Sequence, residues 1–175
     1  MFGSPVPIGN LHVVDPFDCG VEPLNTYLKQ YAGQNERRGA SRTFVIAGRD
    51  NRIVGYYTLA LGSVAHENAP TAVKKGFGQY PIPVIILARL ATDKSIQGKG
   101  FGLALLKDAL LRSFNVSLDV GVRAVLVHAK DKRARDWYER SAGFMESPTD
   151  PLHLFLLIKD IQAMMQPPAP PSASK

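Results

Sequence analysis

The chain has 175 residues, 45% hydrophobic and 21% charged, which predicts one globular domain large enough to bury a sizeable core. Its single cysteine, Cys19, excludes an internal disulfide, and its longest apolar runs, near Val84 and Leu154, are too short to span a bilayer. Twenty-one Lys and Arg against 15 Asp and Glu give a net charge of +6, which favours anionic partners and equally suits a basic protein that binds no nucleic acid.

The opening MFGSPVPIGN has neither the charged nor the apolar region of a signal peptide, so a cytoplasmic protein is expected. Leu11 to Val14 is a short candidate strand, followed by turns at Asp15-Pro16 and Cys19-Gly20. Glu22 to Ala32 has helical spacing, with Leu24, Tyr27, Leu28 and Tyr31 on one side. Gly33 to Arg42 is a polar segment expected to be a loop, carrying Arg37, Arg38 and Arg42. These arginines are either a solvated loop or a basic rim beside a groove. Thr43 to Ala47, a turn at Asp50-Asn51 and Ile53 to Val64 read as an antiparallel hairpin. His66 to Tyr80 is a long connection with Lys74 and Lys75, and long connections in compact domains are often functional.

The stretch from Ile82 to Phe114 organises the rest. Val84 to Leu87 is an apolar run typical of a buried strand. Gln97 to Gly102 reads QGKGFG, and Leu103, Leu106, Leu110 and Phe114 then recur at helical intervals. Strand, glycine-rich turn and helix start are therefore consecutive. Glycines let a ligand approach the backbone, and the first amides of a helix are unpaired and sit at the positive end of its dipole. That combination suits phosphate. The spacing is not that of a Walker A loop. The third glycine of a dinucleotide fingerprint would fall at Leu103 and is missing.

Beyond the helix, Arg123 to His128 is a strand and Asp131 to Ser141 a short helix ending at Gly143. Leu152 to Ile158 is the final strand, and Pro167 to Lys175 (PPAPPSASK) has the composition of a disordered tail. The order β, α, β, β, β, α, β, α, β is a mixed α/β (α+β) layout.

Gln97, Gly100 and Gly102 form Gln-x-x-Gly-x-Gly after a strand ending LARLATD. This resembles the acetyl-coenzyme A pyrophosphate loop of the GCN5-related N-acetyltransferase (GNAT) family. The resemblance implies a GNAT fold over residues 1–166. Its sheet would be mixed but mostly antiparallel, flanked by helices, with the central strands Val84–Ala91 and Arg123–His128 splayed apart. It also implies that acetyl-coenzyme A, as acetyl donor, lies in that gap. The contacts would come from Leu90, Ala91 and Thr92 on the strand and from Gln97, Gly98, Lys99, Gly100, Phe101 and Gly102 in the loop. No metal is expected.

The family pattern Asn-x-x-Ala-x-x-x-Tyr followed by Gly-Phe is matched by Ala134, Tyr138, Gly143 and Phe144, with Asp131 in place of the asparagine. By that resemblance Asp131 is a coenzyme contact and Tyr138 the general acid. The chemistry suits a phenol: coenzyme A leaves as a thiolate, and thiol and phenol acidities are close enough for proton donation as charge develops. No general base stands out. Glu67, Asp93, Glu139 and Glu146 are carboxylates without a supporting pattern. An aminoacyl ester amine is weakly basic, and its proton can pass to water. His12, His66, His128 and His153 show no metal-ligand spacing, and His128 reads as structural or as a neighbour of the coenzyme. Cys19 reads as inert, and no serine sits in a G-x-S-x-G frame.

A narrower resemblance spans several blocks in order: DPFDCGVEPLNTYLKQYA, RGASRTFV, GYYTLALGSV, PIPVIILARLATDKSIQGKGFG, VHAKDKRARDWYERSAGF and SPTDPLHLFL. Together they are similar to the GNAT toxins of bacterial type II toxin–antitoxin modules. That implies acetylation of the amino group of aminoacyl-tRNA, which blocks translation. It further implies neutralisation by a ribbon-helix-helix antitoxin, operator DNA bound through the antitoxin complex, and a homodimer. Arg37, Arg38, Arg42, Lys74, Lys75 and Arg89 then become expected tRNA contacts. Arg89 either faces the substrate or pairs with an acidic residue. Two other readings stay open: a GNAT enzyme of small amines or protein N-termini, and a co-repressor module in which binding outweighs catalysis.

Overall fold

A computed structural model describes residues 2–166. The expected disordered tail at 167–175 lies outside the described residues. One seven-stranded sheet is built from β1 (Val6–Pro7), β2 (Arg42–Ala47), β3 (Ile53–Val64), β4 (Ile82–Thr92), β5 (Ala124–His128), β6 (Met145–Glu146) and β7 (His153–Leu157). Their spatial order is β1-β2-β3-β4-β5-β7-β6. Every neighbouring pair is antiparallel except β4 and β5, which run parallel. A parallel pair needs a crossover, here supplied by the helix that follows the glycine loop.

The helices are α1 (Glu22–Thr26), α2 (Ala32–Arg38), α3 (Thr71–Lys74), α4 (Phe101–Ser117), α5 (Lys132–Ala142) and α6 (Ile158–Met165). Alternation along β4 sorts its side chains onto two faces. Ile85 and Leu87 pack with Leu105, Leu106 and Leu110 of α4, in a cluster that also takes in Tyr57, Tyr138 and Ile161. Ile82 and Val84 pack on the other face with Val73 of α3, Leu126 and Phe155. On that same face, nearer the sheet edge, Tyr56 and Ala91 pack with Phe17 and Leu28. Helices α4, α5 and α6 therefore cover one face, and α1, α2 and α3 the other.

Several local expectations change. The first strand is Val6–Pro7, and Val13 makes only one isolated bridge, to Arg52. Prolines at 5 and 7 disguised this strand; at a sheet edge a missing N–H is tolerated. The segment after Ala32 is not a loop. Helix α1 passes through a π turn, Tyr27–Tyr31, into α2, which ends at Gly39 with φ 69°. Arg37 and Arg38 therefore stand on the last turn of a helix. Leu103 is not on the core stripe of α4 but 37% exposed, because the buried positions are Leu105, Leu106, Ala109, Leu110 and Ser113. Tyr31 is 49% exposed rather than buried with Leu28. The hairpin turn is as expected, with Asn51 in the left-handed region at φ 60°.

The decisive irregularity lies in the middle of β4. The β3 ladder pairs Thr58 with Arg89 and then Leu59 with Leu87, so Ala88 is an extra, bulged residue. On the other side, pairing with β5 ends at Leu87 and Val127. Beyond this point β4 continues to Thr92 beside β3 alone. The splay expected between the two central strands begins there.

Candidate active site

The gap opens into a cavity of about 670 Å³. Leu90, Ala91 and Thr92 of β4 form one wall. Gln97, Gly98, Gly100 and Gly102 form the floor beside Leu103, and α5 forms the opposite wall through Ala134, Trp137 and Tyr138. Cys19, Val21 and Leu24 close one side.

The loop geometry follows from its residues. Gly98 and Gly100 have φ of 74° and 84°, a region that side chains disfavour, and a Cβ at either would meet nothing within 4 Å. The space above them is open. Gly100 is the N-cap of α4 and no side chain caps that helix, so its first amides face outward unpaired. Below the loop, Asp93 caps the preceding turn. Its carboxylate accepts from Ser95 N at 2.9 Å, Ser95 Oγ at 2.6 Å and Asp18 N at 2.9 Å. Burial works against its charge, but these hydrogen bonds hold its acidity stronger than that of a free carboxyl. Gln97 donates from Nε2 to both Thr92 O and Cys19 O, each at 3.0 Å. Its amide ties the loop to β4 and to the N-terminal segment.

Tyr138 lies on α5 with its ring wedged between Trp137 (centroids 4.9 Å apart) and Phe144 (5.5 Å). Burial alone pushes its phenol well above the ordinary value, with no charge or hydrogen bond acting on it. No buried side-chain oxygen or nitrogen among the described residues lacks a partner. Its hydroxyl is therefore not sealed in the core, and Tyr138, 8% exposed overall, borders the cavity in its protonated form. Asp131 is the N-cap of α5, accepting from Ala134 N at 2.8 Å. That hydrogen bond holds its carboxyl below the usual range. Aspartate and asparagine both accept well at a helix N-cap, so the cap is kept with either residue.

The structure thus brings Leu90, Ala91, Thr92, Gln97, Gly98, Gly100, Gly102, Asp131 and Tyr138 to one cavity. Lys99 and Phe101 are not among its lining residues: Lys99 Nζ donates to Ser95 O at 2.8 Å, and Phe101 packs edge-on against Phe2. Lys130, Arg133 and Arg140 also line it and supply its cations. Arg133, Trp137 and Arg140 sit at i, i+4 and i+7, so a reading of the α5 face could have found them. Cys19, Val21 and Leu24 carry no local signal of their place. The Cys19 thiol is pushed up by burial and donates weakly to Val21 O.

The expected RNA contacts do not line the cavity. Arg37 and Arg38 are exposed at the end of α2. Arg42 is held by Glu36, whose carboxylate and carbonyl each accept at 3.0 Å. Lys74 and Lys75 stand at the end of α3, whose Val73 packs near the start of β4. Arg89 has no ion pair among the described residues; its guanidinium lies 4.9 Å from the Tyr27 ring centroid. Glu139 and Glu146 both approach Arg135, at 3.9 and 3.1 Å. Among the described residues, no group of three or more His, Cys, Asp or Glu is placed to hold a metal.

An uncapped helix start, an open glycine cradle, a free strand edge and three cations fit a long anionic thioester such as acetyl-coenzyme A. The acetyltransferase (GNAT) family pattern matches residues 10–144. The chain belongs to the GNAT family. It is an acetyl-coenzyme A-dependent N-acetyltransferase with the GNAT fold. A tRNA-acetylating toxin of Mycobacterium tuberculosis (strain ATCC 25618 / H37Rv) is 44% identical over 164 residues, covering 94% of this chain and 97% of the relative. Among solved structures, AtaT complexed with acetyl-methionyl-tRNAfMet is similar, with TM-score 0.86 and 27% identity over 95% of this chain and 100% of that one. A tyrosine-to-phenylalanine variant of AtaT bound to the C-terminus of the antitoxin AtaR and acetyl-CoA gives TM-score 0.79 and 26% identity, over 94% and 98%.

Proposed function

We propose that this GNAT enzyme is a toxin that acetylates the amino group of aminoacyl-tRNA, and that an antitoxin neutralises it. The observation that carries the reading is 44% identity over almost the whole chain to a tRNA-acetylating toxin, on a fold whose cavity fits the acetyl donor. The similar AtaT structures, one with an acetylated aminoacyl-tRNA and one with an antitoxin segment, support it further.

In this mechanism the uncapped amides of α4 and the cations Lys130, Arg133 and Arg140 hold the pyrophosphate of the donor. The free edge of β4 at Leu90 to Thr92 receives the pantetheine arm by backbone pairing, as an added strand would be received. Gln97 and Asp131 keep loop and helix in place. The acceptor amine attacks the thioester carbonyl, a C–N bond forms, the C–S bond breaks, and Tyr138 protonates the departing sulfur. Burial weakens phenol and leaving thiol together as acids, so their match survives inside the cavity.

Arg37, Arg38 and Arg89 lie on the α1 to α3 face of the sheet, and we assign them to the RNA backbone together with Lys74 and Lys75. The partner is a ribbon-helix-helix antitoxin through which operator DNA is bound, the enzyme acts as a homodimer, and it works in the cytoplasm. The test is a reconstituted translation reaction. Arrest that requires both acetyl-coenzyme A and the enzyme, and that the cognate antitoxin relieves, is expected. Uninterrupted translation with a folded, donor-binding enzyme would contradict the reading.

A further inference from the structure

The four carboxylates that the sequence offers as bases have other engagements or no place at the gap, yet the gap has a second titratable side. Val127 is the last residue of β5 paired with β4. His128 follows it, and strand alternation turns His128 to the sheet face opposite α4 and α5. Across the gap on that same face stands Arg89, whose guanidinium lies over the Tyr27 ring and donates to Ala88 O at 2.6 Å. His128 is paired across the sheet with His153 of β7, and their rings stack with centroids 4.0 Å apart and planes 25° apart. Behind His153 lies Asp150, with Oδ2 3.5 Å from His153 Nε2. Lys130 and Asp131 follow on the loop into α5, paired with each other at 3.5 Å. These are the charged groups around the imidazole on β4, β7, the turn before β7 and the loop after β5.

We infer that His128 is the proton acceptor for the attacking amine, with His153 and Asp150 as positioning residues behind it. The gap between β4 and β5 then has the Tyr138 donor on one face and the His128 acceptor on the other. Two stacked imidazoles resist carrying two positive charges, which keeps His128 free to accept. Its protonated form is disfavoured by burial first, then by His153 and Arg89, while Asp150 acts in the other direction. The amine loses its proton to His128 as the C–N bond forms, the thiolate takes the proton of Tyr138 as the C–S bond breaks, and solvent returns the proton from His128 to Tyr138. The net reaction is amine plus thioester to amide plus thiol.

This inference rests on the reading that the cavity acetylates an amine, so its test uses two acceptors. One is a pool of charged tRNA; the other is glycinamide, whose amine also lacks a neighbouring carboxylate. His128→Asn should lower kcat about 100-fold, bind acetyl-coenzyme A as the wild type does, and recover part of its rate with added imidazole. On the acid limb, where the wild type must lose a proton from both His128 and the amine, the slope of log kcat/KM against pH should fall from about two in the wild type to about one in the variant, since only the amine then remains to be deprotonated. His153→Phe, which preserves a stacked ring that cannot take a proton, should move the acid limb to higher pH. A His128→Asn enzyme with unchanged slope and kcat overturns the inference. So does one whose loss is not rescued by imidazole and goes with weaker donor binding. An unmoved limb in His153→Phe overturns the role given to the pair. Transfer to glycinamide but not to charged tRNA contradicts the toxin reading and still decides on His128; transfer to neither contradicts both.

Discussion

Tyr138 is held in its protonated form by burial between Trp137 and Phe144, and its place in the cavity is set by α5. Removing the hydroxyl while keeping the ring isolates proton donation from packing. Tyr138→Phe is expected to lower kcat by about 100-fold or more, with acetyl-coenzyme A affinity preserved by calorimetry. Weakened donor binding in that variant would show that the ring's packing, not the proton, was lost. The matching frame around Ala134 and Gly143 made this tyrosine visible in the sequence. The role of Gln97 was less visible. Its motif suggested contact with the coenzyme, whereas its amide is committed to two backbone carbonyls 5 and 78 residues away. A residue pattern names a position; only the folded neighbourhood tells what the side chain touches.

At the scale of elements, the glycine loop and the bulge in β4 make the site. Gly100 holds φ 84° at the start of α4, where a methyl group costs roughly 1–2 kcal/mol of strain and projects into the open cradle. Gly100→Ala is expected to raise the KM for acetyl-coenzyme A by about tenfold or more, with a smaller change in kcat, as steady-state kinetics would read. An unchanged KM would remove the loop from donor binding. The strand, loop and helix were legible because periodicity switches from a continuous apolar run to helical spacing within a few residues. The bulge at Ala88 was not, since it is set by pairing with β3, far away in sequence. Helix α2 has the look of a loop in the sequence because its residues are mostly polar and only Ala32 is buried. Leu103 shares the spacing of Leu106 and Leu110 yet is 37% exposed, because a three-four spacing fits two adjacent stripes of the same helix. The basic residues lining the cavity from α5 were missed for a related reason: on a solvated helix, charge alone does not single out the face that borders a ligand.

For the whole molecule, one sheet carries two apolar faces, and three buried tyrosines tie its stability to pH. Burial raises the phenols of Tyr56, Tyr57 and Tyr138 above their unfolded values. A raised folded value means the protonated form is favoured in the native state, so this stabilisation is complete below about pH 10 and is lost as pH rises further. Chemical denaturation should show level stability near neutrality and a steep loss above about pH 10; a flat profile through that range would contradict the burial. Leu105, fully buried between α4 and the sheet, should cost about 2–5 kcal/mol when cut to alanine, read from urea unfolding. Arg37→Glu with Arg38→Glu should raise the KM for charged tRNA and flatten its salt dependence while leaving the KM for acetyl-coenzyme A unchanged. The order of strands and the gap between the central two were implied by resemblance rather than by composition. Of the cations behind the +6 charge, Lys130, Arg133 and Arg140 line the donor cavity, while Arg37 and Arg38 stand at the end of α2 on the other face of the sheet.

The most direct measurement is transfer of labelled acetyl from acetyl-coenzyme A to a pool of charged tRNA, with uncharged tRNA and Tyr138→Phe in parallel. The account predicts label on the aminoacyl group of charged tRNA alone, nearly abolished in the variant. Label on uncharged tRNA, or no label on charged tRNA from an enzyme that binds the donor, would contradict it.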